Sequence, residues 1–109
     1  MTEVLVRRAP DGTITELQVK GHTGYAEQGE DIVCAGVTVL AVTALIGLKR
    51  VAGHPHEGKA RHGLMHCKLK PGGTPESAAK AQVILETTVL GLLDIEKDYP
   101  KYVRVTEGG

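Results

Sequence analysis

The sequence predicts a small α+β domain in which two helices pack on a mainly antiparallel sheet. Segments with strand-type alternation of apolar and polar residues are interrupted twice by long stretches with apolar residues at helical spacing. The resulting element order is ββαββαβ, and the tight turns between paired strands favour hairpins. A chain of this length can bury a core of its own. We therefore expect a single domain over residues 1–109.

The first hairpin is predicted to pair residues 2–8 with residues 13–20, because apolar and polar residues alternate in both segments. The turn Pro10-Asp11-Gly12 separates them. Proline presets φ at the start of such a turn, and glycine accepts the positive φ at its end. Both strands should therefore bury one face, with valine and leucine side chains directed towards the helices.

Two helices are predicted from their apolar periodicity and end signals. The first runs from Asp31 to about Gly53 and is apolar around nearly its whole circumference. Because such a helix is buried on more than one side, we expect a second subunit to cover the side that the sheet leaves open. The second helix begins after Thr74, with Pro75 as its first helical residue, and ends before Pro100.

A second hairpin is predicted between the helices, pairing residues 54–61 with residues 64–69. Cys67 alternates with the apolar residues of the latter strand. We therefore interpret Cys67 as a core residue without a chemical role. A final strand is predicted over residues 102–106.

The composition excludes several classes of function. Lys and Arg total 13 and Asp and Glu total 13, and no basic run of the kind that follows phosphates occurs, so nucleic-acid binding is not indicated. The apolar run at residues 32–48 is short for a spanning helix, so no membrane segment is expected. The histidines form no compact metal-binding pattern, and neither a metal nor another cofactor is expected. Because the chain has two cysteines and no visible signal peptide, we expect it to work in the reducing cytoplasm.

The segment from residue 21 to residue 30 is predicted to be a functional loop. At about ten residues it is longer than the usual connection between a strand and a helix. We expect this loop to bind substrate. Its candidate substrate-contacting residues are Gly21, Gly24, Tyr25 and Gly29.

Cys34 falls in the first turn of the predicted first helix. A thiol at that position feels the positive end of the helix dipole, which favours the thiolate. His22 lies across a glycine-containing loop that can fold back over the helix end. The pattern predicts Cys34 as a nucleophile with His22 as its base. Spacing alone also leaves open a buried cysteine with no role.

Asp31 has two interpretations at the predicted start of the helix. Its carboxylate can cap the helix, or it can orient the His22 ring as the third member of a triad does. Glu27 and Glu30 are alternative orienting residues.

Two further features would support a thiolate at Cys34. Thr38 follows it by four residues on the same helix face, so its hydroxyl either lies near the sulfur or bonds back to the preceding turn. The backbone N–H groups of residues 32–35 are candidate donors for an oxyanion.

The stretch Gly-His…Gly-Tyr-Ala…Gly-Glu-Asp-Ile-Val-Cys-Ala resembles the ribosomal-processing cysteine protease family, called Prp. The resemblance covers essentially the whole chain. It implies a homodimer of small α+β protomers that removes a short N-terminal extension from a large-subunit ribosomal protein precursor. It places the nucleophile at Cys34, the general base at His22 and the family's acidic residue at Asp31. Thr38 stands where the family often has serine, so a hydroxyl is kept.

Two other functions remain open on the residues themselves. One is a non-catalytic dimeric, ribosome-associated binding module in which Cys34 is merely buried. The other is a thiol redox protein, for which Cys67 would be the available resolving cysteine.

Overall fold

The computed structural model describes residues 1–21, 28–61 and 63–108, with the backbone alone for residues 28–31, and it confirms the α+β architecture. The element order is the predicted one. The strands are β1 (Thr2–Arg8), β2 (Ile14–Lys20), β3 (His56–Arg61), β4 (Leu64–Leu69) and β5 (Val103–Gly108), and the helices are α1 (Gln28–Gly47) and α2 (Pro75–Asp98). A π-helical turn, Leu48–Ala52, extends α1.

The five strands form one mixed sheet in the order β3-β4-β2-β1-β5. All neighbouring strands pair antiparallel except β1 and β5, which are parallel. In the first hairpin Val4 lies opposite Val19 and Val6 opposite Leu17, which gives the alternation predicted for the buried face. The first or last residues of β2, β3 and β5 differ from the predicted ones by one or two positions.

The core lies between the sheet and the two helices. It is built from aliphatic side chains, because the chain has neither phenylalanine nor tryptophan. Buried side chains of the sheet contact buried side chains of both helices in a single cluster. The sheet contributes Val4, Val6, Ile14, Leu17, Val19, Met65, Cys67 and Val103, and the helical layer contributes Val33, Val37, Ala41, Leu48, Ala52, Ala81, Leu85, Val89 and Leu92.

The predicted start of α1 was wrong by three residues. The helix begins at Gln28, so the backbone of Asp31 lies at its fourth residue and not at the predicted N-cap position, and Gly29 lies in the helix and not in the loop. Glutamine and glutamate are good helix formers, and acidic residues suit a first turn. The helix can therefore extend back beyond its apolar run into polar sequence that carries no periodic signal.

The other helix ends agree with the prediction. The π-helical turn stops at Gly53, whose φ of 58° is left-handed and whose N–H donates to the Leu48 carbonyl. At the start of α2, the Thr74 hydroxyl accepts a bond from the Ser77 N–H at 3.0 Å, and the Ser77 hydroxyl accepts one from the Thr74 N–H. His54 Nδ1 lies 2.8 Å from the same Ser77 hydroxyl, so the end of the first helical unit is tied to the start of the second.

One side of α1 remains uncovered by the protomer. By its length and composition, the span Ile32–Ala52 could cross a membrane. Of its apolar window, 28% is buried inside the protomer, and the rest is not covered by it. Val37, Ala41 and Leu48 pack against the sheet with no exposed surface. The helix is therefore a core helix on one side only, and its outer side is free to contact something else.

Cys67 gives the fold a pH-dependent contribution. Burial, with a smaller effect from the Glu16 charge, raises the pKa of its thiol from the ordinary 9.0 to about 11. Above pH 9 the unfolded chain loses this proton while the folded chain keeps it until about pH 11. The ionisation of Cys67 should therefore lower the free energy of unfolding by up to about 1.4 kcal/mol per pH unit across this interval.

We expect Cys67→Ala to flatten the stability curve of the protein between pH 9 and 11, although the cavity lowers its stability at every pH. Urea unfolding of wild type and variant at a series of pH values measures the two slopes. Parallel curves would contradict the assignment.

Candidate active site

Cys34 lies at the corner where β2 meets α1. It is the seventh residue of the helix, and its thiol is half-buried. Gly21 directly follows β2. A Cβ added to Gly21 would lie only 2.8 Å from Cys34 Sγ, which is too close for a carbon and a sulfur that are not bonded to each other. The sulfur therefore packs against the backbone of the residue that precedes His22 in the sequence.

A hydrogen bond fixes the position of Gly21. Its N–H donates to the Gly63 carbonyl at 3.0 Å, at the turn that begins β4. The end of β2 is thereby held to the neighbouring hairpin. The surface against which Cys34 packs is therefore a continuation of the sheet.

The Thr38 hydroxyl takes the second of the two arrangements that the sequence left open. It donates to the Cys34 carbonyl oxygen at 2.8 Å, which is the back-bonding interpretation. A hydroxyl has one proton to donate. In this arrangement Thr38 contributes to the helix at Cys34 and has no proton left for the sulfur.

The early start of α1 also changes the electrostatics predicted for the site. Cys34 lies in the second turn, not the first, so it is farther from the positive helix end than the sequence indicated. The N–H groups of residues 32–35 follow four helical residues and bond to carbonyls of the preceding turn. They are therefore not the free oxyanion donors that were predicted.

His22, Gly24, Tyr25 and Glu27 lie outside the described residues. Their proposed roles stay predictions. The backbone of Glu30 and Asp31 belongs to the first turn of α1, and the orienting role of these residues also stays a prediction.

The structure adds one residue that the sequence analysis did not select. Thr2 is 1% exposed, and its hydroxyl has no hydrogen-bond partner among the residues that the structure describes. Thr2 Oγ1 lies 3.8 Å from the point that a Cβ on Gly21 would occupy, next to Cys34 Sγ. The sequence signal that could have indicated Thr2 was a hydroxyl on the same predicted buried face of β1 as Val4 and Val6.

The histidines in the described ranges make contacts elsewhere. His66 Nε2 lies 2.5 Å from Glu16 Oε2 on the sheet, and His56 Nδ1 lies 2.6 Å from the His54 carbonyl. Within residues 1–21, 28–61 and 63–108, no group of three or more His, Cys, Asp or Glu residues could hold a metal ion.

A free, half-buried thiol on α1, beside the residue that follows β2 in a small α+β domain, is an arrangement expected of a cysteine protease. Residues 1–104 match the sequence model of the family described as cysteine protease Prp. The chain belongs to this family, as its motifs predicted.

Known proteins similar to this chain agree with the family. The ribosomal processing cysteine protease Prp of Bacillus subtilis is 33% identical, over 97% of this chain and 96% of its own length. The fold also matches a Staphylococcus aureus Prp crystal structure in complex with a substrate peptide, with a TM-score of 0.86, 23% identity, and coverage of 98% and 99% of the two chains. A structure of Prp from the same organism with a covalently linked product peptide gives a TM-score of 0.81, 25% identity and the same coverage.

Gly21→Ala should disable the site, because the added methyl group and Cys34 Sγ cannot occupy the same space. We expect cleavage to fall by at least tenfold and unfolding free energy to drop by about 1–3 kcal/mol. Peptide cleavage rates and urea denaturation measure both effects.

Gly36→Ala is the matched control for this change. A Cβ on Gly36 meets nothing within 4 Å, and alanine is the better helix former, so this variant should be more stable by about 0.5–1 kcal/mol. Wild-type activity in Gly21→Ala would contradict the packing described here.

Proposed function

We propose that this protein is an endopeptidase that removes the N-terminal extension of a large-subunit ribosomal protein precursor in the cytoplasm. Cys34 is the nucleophile and His22 the general base. Membership of the cysteine protease Prp family supports the chemistry. The B. subtilis relative, named a ribosomal processing protease, supports the substrate class.

The observation that carries the catalytic assignment is the contact between Cys34 Sγ and Gly21. Consecutive Cα atoms lie about 3.8 Å apart, so the residue after Gly21 starts close to the sulfur. That residue is His22. Chain connectivity therefore allows a base at position 22 to reach the thiol, as nucleophilic catalysis requires.

The proposed reaction has two stages. The imidazole of His22 accepts the thiol proton, and the sulfur of Cys34 forms a bond to the scissile carbonyl carbon. The peptide C–N bond then breaks, and His22 returns the proton to the leaving amine. In the second stage His22 takes a proton from water, the hydroxyl attacks the thioester, and the Cys34 thiol is regenerated. Asp31 is proposed to orient the His22 ring.

The decisive experiment is mass spectrometry of the host's ribosomal protein precursor after incubation with the wild-type protein or with Cys34→Ala. We expect a shortened N-terminus with the wild-type protein only. His22→Ala should slow cleavage by at least a hundredfold, the loss typical of a missing general base. Asp31→Asn should have a smaller effect than either.

The outcomes separate the alternative functions. Cleavage by Cys34→Ala at the wild-type rate would remove Cys34 as the nucleophile. No cleavage by either protein, with Cys34 resistant to alkylation, would favour a binding module. A Cys34–Cys67 disulfide would favour a redox protein, but Cys67 is fully buried and both thiols are free in this structure.

We also propose that the protein is a homodimer formed through the outer face of the helical layer. Ile32, Val39 and Ile46 recur every seven residues along α1 and are 70%, 64% and 50% exposed. Seven residues are two helical turns, so these side chains form one line. On α2, Val83 and Leu90 have the same spacing and are about two-thirds exposed.

The partner proposed for this face is a second copy of the chain. Contiguous exposed apolar surface on a soluble protein marks an interaction site, and a two-fold dimer pairs one patch with itself. With two antiparallel copies of α1, Ile32 of one copy lies opposite Ile46 of the other and Val39 lies near the axis. The face that the sequence predicted to need cover is thereby buried.

Val39→Lys should convert the dimer to a monomer, because it places two positive charges together at the axis. Light scattering after gel filtration should give twice the 11.6 kDa chain mass for the wild-type protein and the single mass for the variant. Val51→Lys is the control, since Val51 is 65% exposed but lies outside the line. A monomeric wild-type protein would refute this interface.

A further inference from the structure

We propose that Thr2 is a positioning residue whose hydroxyl donates a hydrogen bond to the thiolate of Cys34. This inference rests on the proposed role of Cys34 as nucleophile. Thr2 is the first residue of β1, and its backbone N–H is bonded to the Tyr102 carbonyl at 2.8 Å. The residue is therefore held in the sheet, beside the corner that contains the thiol.

The hydroxyl of Thr2 and the sulfur of Cys34 both lie close to the position that a side chain on Gly21 would occupy. The position that a Cβ on Gly21 would occupy lies 2.8 Å from Cys34 Sγ and 3.8 Å from Thr2 Oγ1, and apart from its neighbours in the chain these are the two described atoms within 4 Å of it. Glycine leaves this volume free of a methyl group. The space between the thiol and the hydroxyl is thus open for the two groups to approach each other.

The hydroxyl of Thr2 is available for this bond. It is buried, and none of the described residues accepts its proton or donates to it. A buried polar group without a partner lowers the stability of a fold, so such a group in a working protein calls for a reason. A partner that forms only when Cys34 ionises provides that reason.

Among the residues that the structure describes, the other donors close to Cys34 have partners of their own. The Thr38 hydroxyl donates to the Cys34 carbonyl oxygen, and the N–H groups around Cys34 belong to the second turn of α1. A thiolate nevertheless needs a donor when its site excludes water. Within the described part of the chain, Thr2 has a hydroxyl near the sulfur whose proton is not committed.

The step involves a proton and no redox change. When His22 takes the thiol proton, the negative charge remains on Sγ and the Thr2 O–H turns towards it. The bond to a charged sulfur is stronger than one to a neutral thiol, so it favours ionisation and holds the side chain of Cys34 in one rotamer. When Sγ bonds to the substrate carbon, the charge leaves the sulfur and Thr2 is released.

The test compares Thr2→Val, which removes the hydroxyl at nearly constant volume, with Thr2→Ser, which keeps it. Iodoacetamide alkylates the Cys34 thiolate, forming an S–C bond and releasing iodide, and Cys67 is too buried to compete. We expect Thr2→Val to be alkylated about tenfold more slowly at neutral pH, with its pH profile displaced to higher pH. Thr2→Ser should stay within about threefold of the wild-type rate.

Two further measurements separate a positioning role from a purely structural one. On the peptide substrate, Thr2→Val should lower kcat by about the same tenfold and leave KM within twofold. Its melting temperature should be equal to or higher than that of the wild type, because a buried hydroxyl without a partner has been removed. Thr15→Val is the control, since the Thr15 hydroxyl bonds to the Arg7 carbonyl far from the site.

Alkylation of Thr2→Val at the wild-type rate and with the wild-type pH profile would overturn the inference. Failure of Thr2→Ser to restore the rate would do the same. If Thr2→Val does not fold, Thr2→Ala provides the same comparison. Because alkylation needs no substrate, it decides the role of Thr2 even if the precursor is not cleaved, whereas cleavage by the wild-type protein tests the proposed function separately.

Discussion

The site depends on the close contact between the backbone of Gly21 and the sulfur of Cys34. A Cβ at position 21 would force the sulfur to move, so the present contact between the end of β2 and the second turn of α1 requires a glycine there. The Gly21 N–H bond to Gly63 makes this contact part of the sheet. The proposed nucleophile thus has a position set by regular secondary structure, and its proposed base is the next residue of the chain after Gly21. This arrangement limits the rearrangement that is needed before reaction.

The first helix has two separate tasks on its two sides. The side formed by Val37, Ala41 and Leu48 closes the core against the sheet. The opposite line, which includes Val39, is apolar and exposed, and the proposed dimer buries it. Cys34 lies on the same helix, so the proposed dimer face and the proposed nucleophile share one helix. A substitution that disturbs dimer packing can therefore alter activity without contacting the substrate.

The fold was largely predictable, because its signals are local. Alternation in β1 and β2, the Thr74-Pro75 helix start and the Gly53 stop each depend on residues close together in the sequence. The start of α1 was missed because residues 28–30 are polar and carry no periodicity. This error placed Cys34 one turn too close to the start of the helix. The backbone N–H groups predicted as oxyanion donors were misplaced in the same way. The interpretation of Cys67 as a core residue was confirmed.

The sequence by itself determined the order of elements, the family and a short list of chemically capable residues. These properties follow from periodicity, end signals and motif identity, which are written in neighbouring residues. The tertiary structure decided which of those residues meet. Thr38 was chosen as the supporting hydroxyl because it follows Cys34 by one helical turn, yet its proton goes to the Cys34 carbonyl. Thr2, at the start of β1, has a buried hydroxyl near the site that bonds to none of the described residues. Strand pairing and the glycine at position 21 bring these distant residues together.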